Sequence, residues 1–469
     1  MKPSRLPFSV VAILAAIHAV SGQSLASPVP PNSEISRILA DRVDRFRPGV
    51  CVVVGVIEPQ GRRIVTYGSL GEKDPRSPTG DTLFEIGSIT KVFTSLLLAD
   101  MVQRGEVALS DPVAKFLPGV TIPEHNGKQI TLRDLATHTA GFPKDVPLKT
   151  LINPYEHYSP EQVYQYLSGF HLTREIGSQW EYSNIGVALL GHALALRAGT
   201  DYEHLIATRI TGPLGMNNSW ITLTPDARIR LVIGHTMIGL PAPENELGAW
   251  PAAGAIRSSA GDLLTLLSAF LGYSNTPLAH ATASMLQTRV PIHDGQEQAL
   301  GWQIGWPWRG PGRPEKTIVS KNGATAGFTS FAGYNPKTRV GVVVLANHLA
   351  IDSEEVGNYL LDKRFPLKRG KELVPLKQRV EIVLEPAVLN RYVGRYQFPD
   401  GKATVTRQDN HLLLAGDDDL PDAFYPETNQ DFFSGIQDLQ MHFETDGAGR
   451  VTGFLFHIAG KTKRVKRID

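Results

Sequence analysis

The chain carries one cysteine in 469 residues, Cys51, so no disulfide can form within it and stability must come from a packed core. Neither charge is in excess: 47 Lys and Arg against 46 Asp and Glu leave a formal +1, and no nucleic-acid partner is expected. No apolar run reaches the ~20 residues needed to span a bilayer. Gly-x-Ser-x-Gly is missing, which argues against the nucleophile elbow of α/β-hydrolases. The 14 His include no His-Glu-x-x-His or comparable close pair, so no metal is expected. There is no P-loop, dinucleotide fingerprint, internal repeat or low-complexity tract, and no cofactor is implied.

What is present is 42% hydrophobic residues with 44 Gly and 33 Pro, the composition of a globular chain of two or more domains. Lys2 and Arg5 precede an apolar run from about Leu6 to Val20, and Ser24-Leu25-Ala26 offers a small-residue cleavage site. This reads as an export signal over 1–26, placing the mature protein in a bacterial periplasm or outside the cell. No Cys follows the run, which argues against a lipoprotein; membrane contact would come only through an uncleaved signal. Ser27 to Asn32 reads as a flexible, Pro-rich leader.

Strand patterns lie at both ends of the next 333 residues, 33–365. Gly49–Glu58 and Arg62–Tyr67 form a hairpin through Pro59-Gln60-Gly61. Gly301–Trp308, Lys316–Lys321, Gly327–Tyr334 and Val340–Asn347 are the later strands, and Asp352–Phe365 a closing helix. Helical patterns fill the interval, at Pro160–Phe170, Ile185–Ala198, Tyr202–Ile210 and Gly261–Leu271. The expected fold is α+β, an α/β sandwich: an antiparallel sheet built from both ends of the domain, with a helical subdomain inserted. The basic stretch 366–379 reads as a linker. Short alternating segments over 380–469 predict a separate small all-β domain, a barrel or sandwich.

Three short segments carry chemistry. Gly87-Ser88-Ile89-Thr90-Lys91 opens a helix in which Phe93, Leu96, Leu97 and Met101 mark one buried face. Lys91, three residues on, shares a face with the Ser88 hydroxyl, and a serine needs such a neighbouring base to become a nucleophile. Tyr182-Ser183-Asn184 stands directly before the Ile185 helix. A tyrosine beside Lys91 and a second cation would have its phenolate stabilised and act as general base, and Asn184 offers an amide to a substrate amide. Lys321-Asn322-Gly323-Ala324 lies on a strand, where Lys321 can pair with a substrate carboxylate and Gly323 lets a substrate backbone lie close. The Ala324 N–H is a candidate oxyanion donor beside that of Ser88. Each segment alone is also consistent with a cap, a turn or a surface lysine; it is the combination, in this order, that points to a site.

This combination resembles the serine β-lactamase and penicillin-binding-protein superfamily, and its Tyr-x-Asn form is similar to class C β-lactamases and related peptidases and esterases. Phe84–Phe93, Asp134-Leu135-Ala136-Thr137-His138-Thr139-Ala140-Gly141 and Lys321–Phe328 look like class C segments, and the resemblance covers about Ile35 to Phe365. The segment Leu389–Tyr396 is similar to small lipocalin-like β-domains that follow such hydrolases. The resemblance implies that Ser88 forms an acyl-enzyme, Lys91 and Tyr182 handle protons, and Asn184 holds the acyl amide. Lys321 would steer the carboxylate, with Ser88 and Ala324 as the oxyanion hole. The family strand usually carries Thr or Ser after the Lys, whose hydroxyl meets that carboxylate; here the residue is Asn322. Lys144 and Asp145 fall in a loop that commonly makes polar substrate contacts and receive no role. The implied substrate is a small β-lactam or a peptidoglycan peptide, so β-lactam amide hydrolysis stands beside a D-alanyl-D-alanine carboxypeptidase, a carboxylesterase and a non-turnover penicillin-binding sensor.

Overall fold

The computed structural model describes residues 27–469 except 47, 72, 148–157, 246, 293–294, 306–316, 370–378, 400, 417–420, 436–438 and 459–460. The export signal, most of the linker and the far end of the Gly301–Trp308 strand therefore lie outside the described residues. No helix among the described residues is long and apolar enough to cross a membrane.

An eight-stranded antiparallel sheet forms the centre of the larger unit. Its strands are β1 (Cys51–Glu58), β2 (Gly61–Gly68), β3 (Val290–Pro291), β4 (Glu297–Gln298), β5 (Gln303–Ile304), β6 (Val319–Ala324), β7 (Thr329–Asn335) and β8 (Val340–Ala346), in the spatial order β2-β1-β8-β7-β6-β5-β4-β3. The N-terminal hairpin thus pairs with the last strand, Val54 opposite Val344, which joins the two ends of the domain in one sheet.

Side chains alternate across a strand, so a strand covered on both faces must be apolar throughout. β1 is buried at every position. Val52, Val54 and Val56 face helices α1 (Asn32–Val43) and α7 (Ser353–Leu361), together with Ile35, Leu39, Val356 and Leu360. Cys51, Val53 and Ile57 face the other way, into a core with α2 (Thr90–Gln103) and α6 (Ala260–Phe270). Between β2 and β3 the chain builds the helical region, including α3 (Leu132–Ala136), α4 (Pro160–Gly169) and α5 (Asn184–Ala198). Thr131 and Asp134 close a capping box at the start of α3, and Gly199 ends α5 in the left-handed conformation at φ 70°.

Several expectations need correction. α2 has no solvent face: Thr90 to Met101 are all buried, because the helix runs through the middle of the domain. Ser27–Asn32 is packed, with Val29 buried, Ser27 bonded to Glu58, and the Pro30 carbonyl receiving Arg63. The closing helix stops at Leu361, and residues after it fold back: Lys368 N–H donates to Glu355 and Arg369 pairs with Glu34. Tyr202–Ile210 is helical to Ile206 and then widens into a π turn over Ala207–Thr211.

The C-terminal unit is a closed barrel of eight strands, β9 (Gly394–Phe398), β10 (Gly401–Gln408), β11 (His411–Gly416), β12 (Asp422–Pro426), β13 (Asp431–Ser434), β14 (Leu439–Thr445), β15 (Val451–Ile458) and β16 (Lys461–Arg467). Closure leaves no edge strand exposed. Its interior is filled by side chains including Tyr396, Val405, Phe424, Phe432, Phe443 and Phe454.

Candidate active site

Ser88 sits on a 3-10 turn, Gly87–Ile89, that runs directly into α2. The turn is fixed from both sides. Leu83–Glu85 pairs with Arg257–Ser259, and Ile86 N–H donates to the Ile256 carbonyl. Gly87 is at φ 49°, where a Cβ would meet Ala324 O at 2.6 Å and Ala324 N at 2.8 Å. A Cβ on Gly323 would strike the Ile86 carbonyl and lie 3.0 Å from Ser88 N. These two glycines let the turn and the end of β6 lie backbone to backbone, which sets Ala324 N beside the nucleophile turn. Gly323 thus serves the Ser88 turn, where the sequence suggested close approach of a substrate.

Two groups converge on the Ser88 hydroxyl. Lys91 Nζ lies 2.9 Å from Oγ and donates to the Ala253 carbonyl at 2.7 Å. Tyr182 OH lies 2.7 Å from the same oxygen. Lys91 Nζ and Lys321 Nζ stand 5.0 and 5.4 Å from the Tyr182 ring centroid. Lys91 is 1% exposed and no carboxylate pairs with it among the described residues. Burial first, and then Lys321, holds its amine well below the ordinary lysine range, with Asp145 acting the other way. The pKa of the Tyr182 phenol is raised, chiefly by burial, although its hydrogen bond to Ser88 pulls it down. The stabilised phenolate expected from the sequence is therefore not what the fold builds. Desolvation outweighs the hydrogen bond to Ser88, and Asp145 raises the phenol's pKa further.

Tyr182 is held by a residue for which no role was expected. His138, at φ 59°, packs against the Tyr182 ring with centroids 4.6 Å apart and the planes tilted by 38°. Its Nδ1 accepts the Ser183 N–H at 3.2 Å and its carbonyl accepts Glu181 N–H at 2.8 Å. Burial, Lys91 and Lys321 hold the ring well below the usual histidine value, so it is neutral and Nδ1 keeps its lone pair. Asn184 opens α5, and its side-chain amide donates to Asp145 at 3.0 and 3.3 Å. Its backbone N–H goes to the Lys144 carbonyl at 2.7 Å. The loop with Lys144 and Asp145 therefore belongs to the same constellation.

Lys321 lies on β6, 4% exposed, and burial lowers its pKa to about 8, with Glu354 acting the other way. Its Nζ donates to the Asn322 carbonyl at 2.8 Å and to Asn322 Oδ1 at 3.1 Å.

This geometry can be set beside known proteins. The profile of the Beta-lactamase family matches residues 35–363. The chain belongs to that family. Within the beta-lactamase family, it is 30% identical over 358 residues to the D-alanyl-D-alanine-carboxypeptidase/endopeptidase AmpH of Escherichia coli K12, covering 74% of this chain and 91% of that one. It is 29% identical over 367 residues to a beta-lactamase of the same organism, covering 71% and 93%. The structure of a class C beta lactamase from Rhodobacter sphaeroides superposes with a TM-score of 0.60 at 28% identity, over 71% of this chain and 98% of that one. The α+β sandwich is thus the class C beta-lactamase fold, and the chain is a serine hydrolase.

Proposed function

We propose that this beta-lactamase family member is an exported hydrolase that opens β-lactam amides through an acyl-enzyme on Ser88. The observation that carries the reading is the meeting of Lys91 Nζ and Tyr182 OH on Ser88 Oγ, at 2.9 and 2.7 Å, with the Lys91 pKa lowered by burial. A neutral Nζ has a lone pair free to take the Ser88 proton while its own N–H stays on the Ala253 carbonyl. Oγ then attacks the substrate carbonyl, and the N–H groups of Ser88 and Ala324 receive the oxyanion. As the intermediate collapses, Tyr182 O–H gives its proton to the leaving nitrogen and is replenished from Lys91. Water cleaves the acyl-enzyme by the reverse use of the same groups. Asn184, whose side-chain amide is oriented by Asp145, holds the acyl amide.

A second reading, hydrolysis of D-alanyl-D-alanine peptides, is favoured by the similarity to the carboxypeptidase/endopeptidase. We take the catalytic unit as 33–365 and the barrel as 380–469, joined by 366–379, with 1–26 removed on export to the periplasm or cell exterior. The test is a panel: a chromogenic cephalosporin, a D-Ala-D-Ala peptide and a short-chain p-nitrophenyl ester. Turnover of the cephalosporin supports the lead reading and turnover of the peptide alone the second. A stable adduct without turnover means a sensor, and ester-only turnover a carboxylesterase.

A further inference from the structure

Lys321 is not a free cation at the end of the cleft. Asn322 turns its Oδ1 to Lys321 Nζ at 3.1 Å and its Nδ2 to Glu354 Oε2 at 2.7 Å. A side-chain amide has one accepting and one donating end, so this orientation ties the ammonium to the carboxylate. Glu354 lies in the first turn of α7, where the helix terminus favours an anion, and Asp352 caps the same helix through Glu355 N–H at 2.9 Å. The turn is held to the hairpin that carries Asn322. Thr329, opposite Ala324 in the register, donates to the Ile351 carbonyl at 2.6 Å and lies 2.8 Å from Ser353 Oγ. The acid is thereby fixed in place.

Two charges of opposite sign joined through one amide present little net field to an arriving anion. A carboxylate drawn to Lys321 also meets the field of Glu354, joined to it through Asn322. Burial lowers the pKa of Lys321 to about 8 and raises that of Glu354, which Asp352 raises further while Lys321 and Asn322 pull it down.

We propose that Glu354, held against Lys321 through Asn322, is a specificity determinant that favours acyl compounds whose leaving half carries no free carboxylate over those that carry one. The proposal rests on the acyl-enzyme reading of Ser88 and goes beyond it by naming the leaving half. A neutral ester or a blocked amide fits this end of the cleft; a free acid is penalised by Glu354.

The test compares kcat/KM for a chromogenic cephalosporin and for the methyl ester of its carboxylate. The acyl half is identical and only the charge differs. The wild-type protein is expected to use the ester at least as well as the acid. Glu354→Gln keeps an acceptor for Asn322 and removes the charge, so the acid-to-ester ratio should rise about tenfold, the worth of roughly 1.4 kcal/mol. Asn322→Ala breaks the link without adding a hydroxyl for the carboxylate and should raise the ratio in the same direction; it decides the matter alone if Glu354→Gln does not fold. A merely structural role would lower both rates together and leave the ratio fixed. A wild-type preference for the acid of tenfold or more, or one ratio across all three proteins, overturns the proposal. Failure of both compounds to acylate wild-type Ser88 overturns the acyl-enzyme reading and the proposal with it.

Discussion

Gly323→Ala isolates the contact that positions the nucleophile. The new Cβ would lie within contact distance of the Ile86 carbonyl, 2.6 Å from Ser330 Oγ and 3.0 Å from Ser88 N. Ser330 can rotate, although it gives up its 2.8 Å hydrogen bond to the Ile86 carbonyl. The two backbone atoms cannot rotate, and they belong to the Ser88 turn. Restoring an ordinary C···O separation of about 3.3 Å requires the turn and β6 to part by about 1 Å. That shift carries Oγ out of the 2.7 and 2.9 Å contacts with Tyr182 and Lys91. Overpacking of this kind costs about 1–3 kcal/mol of stability, and a misplacement of about 1 Å at a reacting group costs about 10²-fold in rate. The assay is the second-order rate of acylation by a fluorescent penicillin, with a thermal melt on the same sample. Gly401→Ala, where a Cβ meets nothing within 4 Å, is the control and should change neither. A folded Gly323→Ala protein that acylates within threefold of wild type would refute the view that the strand sets the serine.

Ser88→Ala should abolish covalent labelling by the same penicillin, because the hydroxyl oxygen becomes the acyl oxygen; residual labelling on mass spectrometry would place the nucleophile elsewhere. Tyr182→Phe removes a proton carrier and little packing, so turnover should fall by about 10²-fold or more with the melting temperature nearly unchanged. Lys91 must be neutral to take the serine proton, and its folded pKa is depressed, so acylation should be sustained at neutral pH and fall as pH drops through the lysine's lowered value; a rate that begins to rise only near pH 10 would mean the amine stays charged. In the barrel, Asp422 is 7% exposed, accepts a hydrogen bond from Ser434 Oγ at 3.0 Å, and has its pKa raised to about 6 by burial. A carboxyl with a raised folded pKa binds its proton more tightly in the native state, so its contribution is present at low pH and is lost as pH rises from about 4 through about 6. Asp422→Asn should remove up to about 3 kcal/mol of that dependence in denaturant titrations followed at pH 4 and pH 7; an unchanged slope would count against it.

What the sequence settled by itself follows from local geometry. Three residues along a helix bring Lys91 to Ser88 whatever the rest of the fold does, and the alternation of Val52, Val54 and Val56 against Cys51 and Val53 marks a strand covered on both faces. The strands β1, β2, β6, β7 and β8 and the family resemblance came from the same kind of short-range pattern. Tertiary structure alone decided the rest. Only folding seats Tyr182 on His138, carries its hydroxyl to a serine 94 residues away, and uses the Gly323 space for the Ile86 carbonyl. Only folding removes water from Lys91 and Tyr182, and desolvation lowers the lysine's pKa and raises the phenol's, against what charge counting suggested. Asn322 read as a missing hydroxyl in the sequence; its partner Glu354 belongs to a helix beyond two further strands, so the acid at that end of the cleft emerges only when the sheet is assembled.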